Sequence, residues 1–176
     1  MVKVFYAEIP KFFSDIKINC EERKKYLDAI TDDKSRKHSF YVWVLLEHAI
    51  KYLFSEQNFI FICEKGKWKE KDDKLFFSLT HSSNIVAVAI SKTLPVGLDV
   101  ECVSDKLFSI KKFLKLPENI TDKYYLARKW TEYESVIKLG EERIFSSETI
   151  SDSECLEYCL TLNCSKKIDT FFKIQL

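Results

Sequence analysis

Two carboxylates two residues apart, Asp99 and Glu101 in P-V-G-L-D-V-E, are well spaced for chemistry. So are a glutamate and a lysine four residues apart, Glu134 and Lys138 in K-W-T-E-Y-E-S-V-I-K-L-G. On an extended strand Val96, Leu98 and Val100 fall on one face and the two acids on the other, roughly 6.5–7 Å apart. A hard cation that accepts oxygens from both relieves their repulsion. Mg²⁺ suits such a site because it takes a few carboxylates together with phosphate oxygens and water. Gly97 clears space beside the pair for a ligand or a second backbone. A solvated edge strand carrying two surface acids is the plainer reading of the same residues.

The elements that must position these groups follow from periodicity. Helical spacing stacks Trp130, Glu134 and Lys138 along one face. Glu134 and Lys138 then form either a surface ion pair or a third acid and a cation aimed at the metal and its phosphates. Val136 and Ile137 give this helix its core face, Thr121 or Asp122 caps it, and Gly140 stops it. Upstream, Val2 to Ile9 alternates as a strand. Residues 20–30 read as a helix with Tyr26, Leu27 and Ile30 as its apolar stripe. The Asp32-Asp33 pair opens a long helix over about 34–54, with Phe40, Trp43, Val44, Leu46, Ile50 and Leu53 inward and His48 among apolar neighbours. Phe59 to Cys63 reads as a short buried strand before a polar hairpin, and Leu75 to Leu79 as a strand that ends at His81. Strands are also expected at Ile85 to Ile90, Leu156 to Leu162 and Thr170 to Leu176. Between Glu101 and the capped helix, Phe108, Ile110, Phe113 and Leu114 read as packing residues, with Lys111, Lys112 and Lys115 projecting outward.

Three motifs in order, F-S-L-T-H-S at Phe77 to Ser82, V-G-L-D-V-E, and W-T-x-x-E-S-x-x-K-x-G about thirty residues on, resemble the signature of the 4′-phosphopantetheinyl transferases, above all the surfactin-type branch. The resemblance covers about Gly66 to Gly140. It implies an α+β fold of two pseudo-duplicated lobes of antiparallel strands plus helix, residues 1–102 and 103–176, in one compact monomer. The implied reaction transfers 4′-phosphopantetheine from coenzyme A to a serine of an acyl or peptidyl carrier protein and releases 3′,5′-ADP.

The resemblance also implies roles. Asp99, Glu101 and Glu134 hold Mg²⁺; Glu134, or a water it orients, takes the serine proton; Lys138 and His81 steady phosphate oxygens. Thr80 stands where serine is usual, and His81 meets the coenzyme A diphosphate. Arg36, or Lys37 next to it, reads the 3′-phosphate. Gly66 and Lys67 lie near the adenine, although Trp68 replaces the usual proline. The basic stretch around residues 106–115 faces the acidic carrier. One departure stands out: Tyr133 occupies the place of the lysine that usually precedes the last acid, which removes a positive charge. A coenzyme A binder that has lost efficient turnover is therefore the alternative.

Composition agrees with a globular chain: 46% hydrophobic and 31% charged over 176 residues. With 28 basic against 27 acidic side chains, no overall positive field points to nucleic acid. The N-terminal residues lack signal-peptide anatomy and no apolar run reaches membrane-spanning length, so the expected location is cytoplasmic and no membrane partner is expected. The six cysteines form no C-x-x-C pair and read as reduced structural thiols.

Overall fold

The computed structural model describes residues 2–11, 16–55, 58–166, 168 and 171–176. The architecture is mixed α+β. Strands β1 (Val2–Glu8), β4 (Phe76–Ser82), β5 (Ile85–Ser91) and β9 (Phe171–Lys173) form one sheet in the order β4-β5-β1-β9. Strands β6 (Val96–Cys102), β7 (Ile144–Ser151) and β8 (Glu157–Cys164) form a second in the order β6-β8-β7. Strands β2 (Phe61–Glu64) and β3 (Lys67–Glu70) make a separate hairpin. Four helices accompany them: α1 (Glu21–Asp28), α2 (Asp33–Phe54), the single turn α3 (Ile110–Phe113) and α4 (Lys123–Leu139). No described helix is long and apolar enough to cross a membrane.

Alternation along the strands builds the layers. On β5, Val86, Val88 and Ile90 join α2 residues such as Tyr41, Trp43 and Leu45 in one core, while Ile85, Ala87 and Ala89 turn to the other side. There they meet Val96, Leu98 and Val100 of β6 and Tyr158, Leu160 and Leu162 of β8, so the two sheets stack through their apolar faces. The opposite face of β6 and β8 carries Asp99, Thr161 and Asn163, all buried, and α4 packs across it. Burying a strand on both faces explains why I-V-A-V-A-I has no polar alternation.

Several expectations change. The strand at Phe59 to Cys63 is shorter, starts at Phe61 and is half exposed, because it pairs only with β3. His81 lies within β4, one residue from its end. β7 was not legible: its I-F-S-S-E-T-I-S pattern holds only scattered apolar residues. His48 faces solvent. The inward residue of α1 beside Leu27 is Arg23, whose guanidinium lies 4.7–5.1 Å from the rings of Tyr26, Trp43 and Trp68. In the stretch after β6, Phe113 is 60% exposed. Lys111 is instead tucked in, its amine donating to the carbonyls of Glu118 and Ile120 at 2.7 and 3.3 Å. Strand β6, at the end of the expected first lobe, belongs to the sheet of β7 and β8. Of the expected last strand, Thr170 lies outside the described residues.

Candidate active site

The site is assembled at the seam between the sheets. Strand β6 is paired on one edge by β8, and its other edge turns N–H groups toward β4. Three hydroxyls of β4 accept them: Ser78 from Leu98 N at 3.0 Å, Thr80 from Val100 N at 3.2 Å and Ser82 from Cys102 N at 3.1 Å. A side-chain ladder thus stands in for the backbone ladder and satisfies buried donors that would otherwise be costly. Two of these hydroxyls also donate to the acids, Thr80 to Asp99 at 2.9 Å and Ser82 to Glu101 at 2.9 Å. The signal was present in the sequence as hydroxyl residues at Ser78, Thr80 and Ser82, a period of two within a strand. Only Thr80 was singled out.

Helix α4 brings the remaining groups. Its N-cap is Asp122, whose carboxylate accepts from Tyr124 N and Tyr125 N, and its C-cap is Gly140 at φ 92°. It seats on β6 at Gly97, where an added Cβ would stand 2.1 Å from the Ser135 carbonyl oxygen. This close approach lets Lys138 donate to Asp99 Oδ1 at 2.7 Å and to the Leu98 carbonyl at 2.9 Å. Glu134 makes no hydrogen bond or ion pair among the described residues. Burial raises the pKa of Asp99, which is 6% exposed, while Lys138 and Thr80 pull it back. Burial likewise raises Glu101 and Glu134, and the Asp99 charge raises both further. Asp99 therefore acts on both other acids, and Lys138 on Asp99 and Glu134.

They do not yet converge on one point. Among the described residues no three histidine, cysteine or acidic side chains are grouped so as to hold a metal. The donor set has the charge and the hard oxygens that Mg²⁺ prefers, but sharing an ion requires the side chains to turn, that of Asp99 away from Lys138.

His81 is exposed and lies near the same lysine. Surrounding protein, then the charges of His38, Lys138 and Lys34, lower its pKa. Of the basic residues at the start of α2, Lys34 lies one turn before His38 on the same helix face, and both Lys34 and Lys37 act electrostatically on His38. Arg36 is not brought to the site. It pairs with Asp33 at 2.6 Å and lines a separate cleft of about 360 Å³ with Lys24 and Phe40. Gly66 and Lys67 lie at the β2–β3 turn, where Lys65 and Gly66 take φ of 50° and 79°, as a tight hairpin turn requires. The Trp68 ring packs 4.9 Å from that of Trp43. A small cleft of about 120 Å³ lies beside this hairpin, with Trp68, Lys69, Asp73, Pro95 and Lys138 in its wall.

Tyr133 is not at the acids. Its ring lies 5.4 Å from Phe113 and 5.8 Å from Trp130 in an aromatic cluster on the α3–α4 surface. No protein-family model matches the chain, and no curated protein matches its sequence.

Proposed function

We propose that the chain is a 4′-phosphopantetheinyl transferase that uses coenzyme A and Mg²⁺ to modify a serine of an acyl or peptidyl carrier protein. The observation that carries this reading is the meeting of three separate motifs at one carboxylate: Asp99 of β6 takes hydrogen bonds from Thr80 of β4 and Lys138 of α4. The two-lobe organisation finds support in topology. Strand β1, helix α2 and hairpin β4–β5 give the order β4-β5-β1, and strand β6, helix α4 and hairpin β7–β8 give the equivalent order β7-β8-β6. On this reading the chain works as a cytoplasmic monomer.

Asp99, Glu101 and Glu134 would hold Mg²⁺, which when bound neutralises charge on the coenzyme A diphosphate. Glu134, or a water it orients, would take the serine proton; without the cation, burial and the Asp99 charge raise the Glu134 pKa. The serine oxygen forms a bond to the phosphorus that bears the pantetheine arm. The bond to the ADP oxygen breaks, and Lys138 and His81 would hold the phosphate oxygens. The carrier would dock on Phe113, Trp130 and Tyr133, beside the exposed amines of Lys112 and Lys115.

The spread of the acids, together with Tyr133 in place of a lysine, favours one other reading, a coenzyme A-binding relative without efficient turnover. Chromatography separates the two. The protein is incubated with coenzyme A, Mg²⁺ and an apo carrier, and 3′,5′-ADP is followed. Release in proportion to the carrier supports the transferase, whereas bound coenzyme A with no 3′,5′-ADP across a panel of carriers supports the binder.

A further inference from the structure

One residue beside the site is explained by none of the motifs. His38, one turn into α2, is about nine-tenths buried. Its ring lies 4.6 Å from that of His81 at an interplanar angle of 22°, a stacked pair. Its Nε2 is 2.7 Å from the carbonyl oxygen of Ser83. A carbonyl can only accept, so Nε2 carries the proton and donates. Ser83 is the first residue of the two-residue turn between β4 and β5 and takes the left-handed φ of 47°. His38 therefore grips two things at the tip of β4: the flat face of His81 and the turn that follows it.

The surroundings give that grip a use. The tip of β4 carries Thr80 and Ser82 toward the acids, with His81 on the alternate side. The charged groups acting on the two rings are Lys34, Lys37 and Asp32 of α2 and Lys138 of α4. An exposed histidine on a strand end is free to rotate about two bonds. Stacked against a buried ring, it presents its nitrogens in one direction.

We propose that His38 is a positioning residue: its ring and its hydrogen bond to Ser83 fix the His81 ring so that His81 meets an anionic group of the substrate in one orientation. The identity of that anion, the coenzyme A diphosphate, rests on the transferase reading. The positioning does not.

Two measurements test it. In the first, the His81 ring protons are observed by NMR without ligand. The parallel His38 ring shifts them upfield; His38→Ala abolishes the shift and His38→Phe, which keeps an aromatic face, retains it. Identical His81 resonances in the wild type and H38A overturn the proposal. In the second, binding of coenzyme A and of inorganic pyrophosphate is measured by calorimetry in a double-mutant cycle with His81→Ala. H38A weakens binding by about tenfold when His81 is present, as for one mispositioned charge-assisted contact, and has no effect in the H81A background. Additive losses, or unchanged affinity in H38A, refute a role through His81. Should H38A fail to fold, His38→Gln, which keeps a donor for Ser83 but no ring, replaces it. If the wild type binds neither ligand, the transferase reading falls, and the resonance measurement alone decides the positioning.

Discussion

Replacing Gly97 with alanine adds one methyl group at the point where α4 rests on β6. The new Cβ would lie 2.1 Å from the Ser135 carbonyl oxygen and 3.0 Å from both the backbone nitrogen and the Cβ of Leu139. Even close carbon–oxygen contacts keep about 3.3 Å, so the helix or the strand must move by about 1.2 Å. The obstacle is helix backbone, which cannot swing aside as a flexible side chain would. If α4 lifts directly, the Lys138–Asp99 contact of 2.7 Å opens to about 3.9 Å, the limit of a useful ion pair. Overpacking of this kind costs about 1–3 kcal/mol, and weakening a half-buried pair brings the sum to about 2–4 kcal/mol. For a chain of this length that corresponds to a fall in Tm of roughly 5–15 °C. Gly66→Ala is the control. There φ is 79° and nothing lies within 4 Å of the added Cβ, so only backbone strain of about 1 kcal/mol is expected. Urea denaturation of both variants, with Mg²⁺-dependent coenzyme A binding measured in parallel, checks the argument. G97A within about 0.5 kcal/mol of wild type with unchanged binding would falsify the claim that this glycine sets the distance between helix and acids.

Other outcomes follow from the same contacts. Thr80→Val removes the hydroxyl that serves both Val100 N and Asp99; denaturation should show a loss of about 1–3 kcal/mol, and Thr80→Ser should recover most of it. Lys138→Met leaves Asp99 without its cation and should cost about 2–3 kcal/mol at neutral pH. That cost should shrink as pH falls through the raised Asp99 pKa, because the protonated acid no longer needs a partner. A cost independent of pH would point to lost packing instead. His38 is held below 6.5 chiefly by burial, so below about pH 6.5 the unfolded chain binds a proton that the folded chain refuses. Wild-type stability should therefore fall from about pH 7.5 to pH 5 more steeply than that of His38→Phe, and equal slopes in the two would refute the assignment. Phe113→Ala should raise the KM for a carrier protein while leaving coenzyme A affinity unchanged, since its ring meets Trp130 and Tyr133 and not the acids.

The ends of α2 and α4 and the acid-bearing strand were legible because their signals are local, whereas Ile137, expected in the core face of α4, is 47% exposed. Asp32 and Asp122 cap, Gly140 terminates, and alternation in V-G-L-D-V-E divides greasy from acidic residues. What stayed hidden depends on partners far along the chain. Asp99 reads as a surface acid until α4 is seen to cover it. Arg36 reads as a phosphate ligand until helical phase turns it toward Asp33, leaving Lys34 on the face of His38. Lys111 and Phe113 exchange their expected places because the lysine amine finds two carbonyls to cap. Tyr133 stands where the motif expects a charge, and the reason, an aromatic cluster contributed by α3, lies twenty residues upstream.

The most direct test of the central claim, that the groups gathered at Asp99 transfer phosphopantetheine, is the intact mass of an apo carrier protein after incubation with coenzyme A, Mg²⁺ and this protein. A gain of one phosphopantetheine is expected with the wild type and none with Asp99→Ala or without Mg²⁺. An unmodified carrier with folded wild-type protein, across acyl and peptidyl carriers alike, or full modification by D99A, would contradict it.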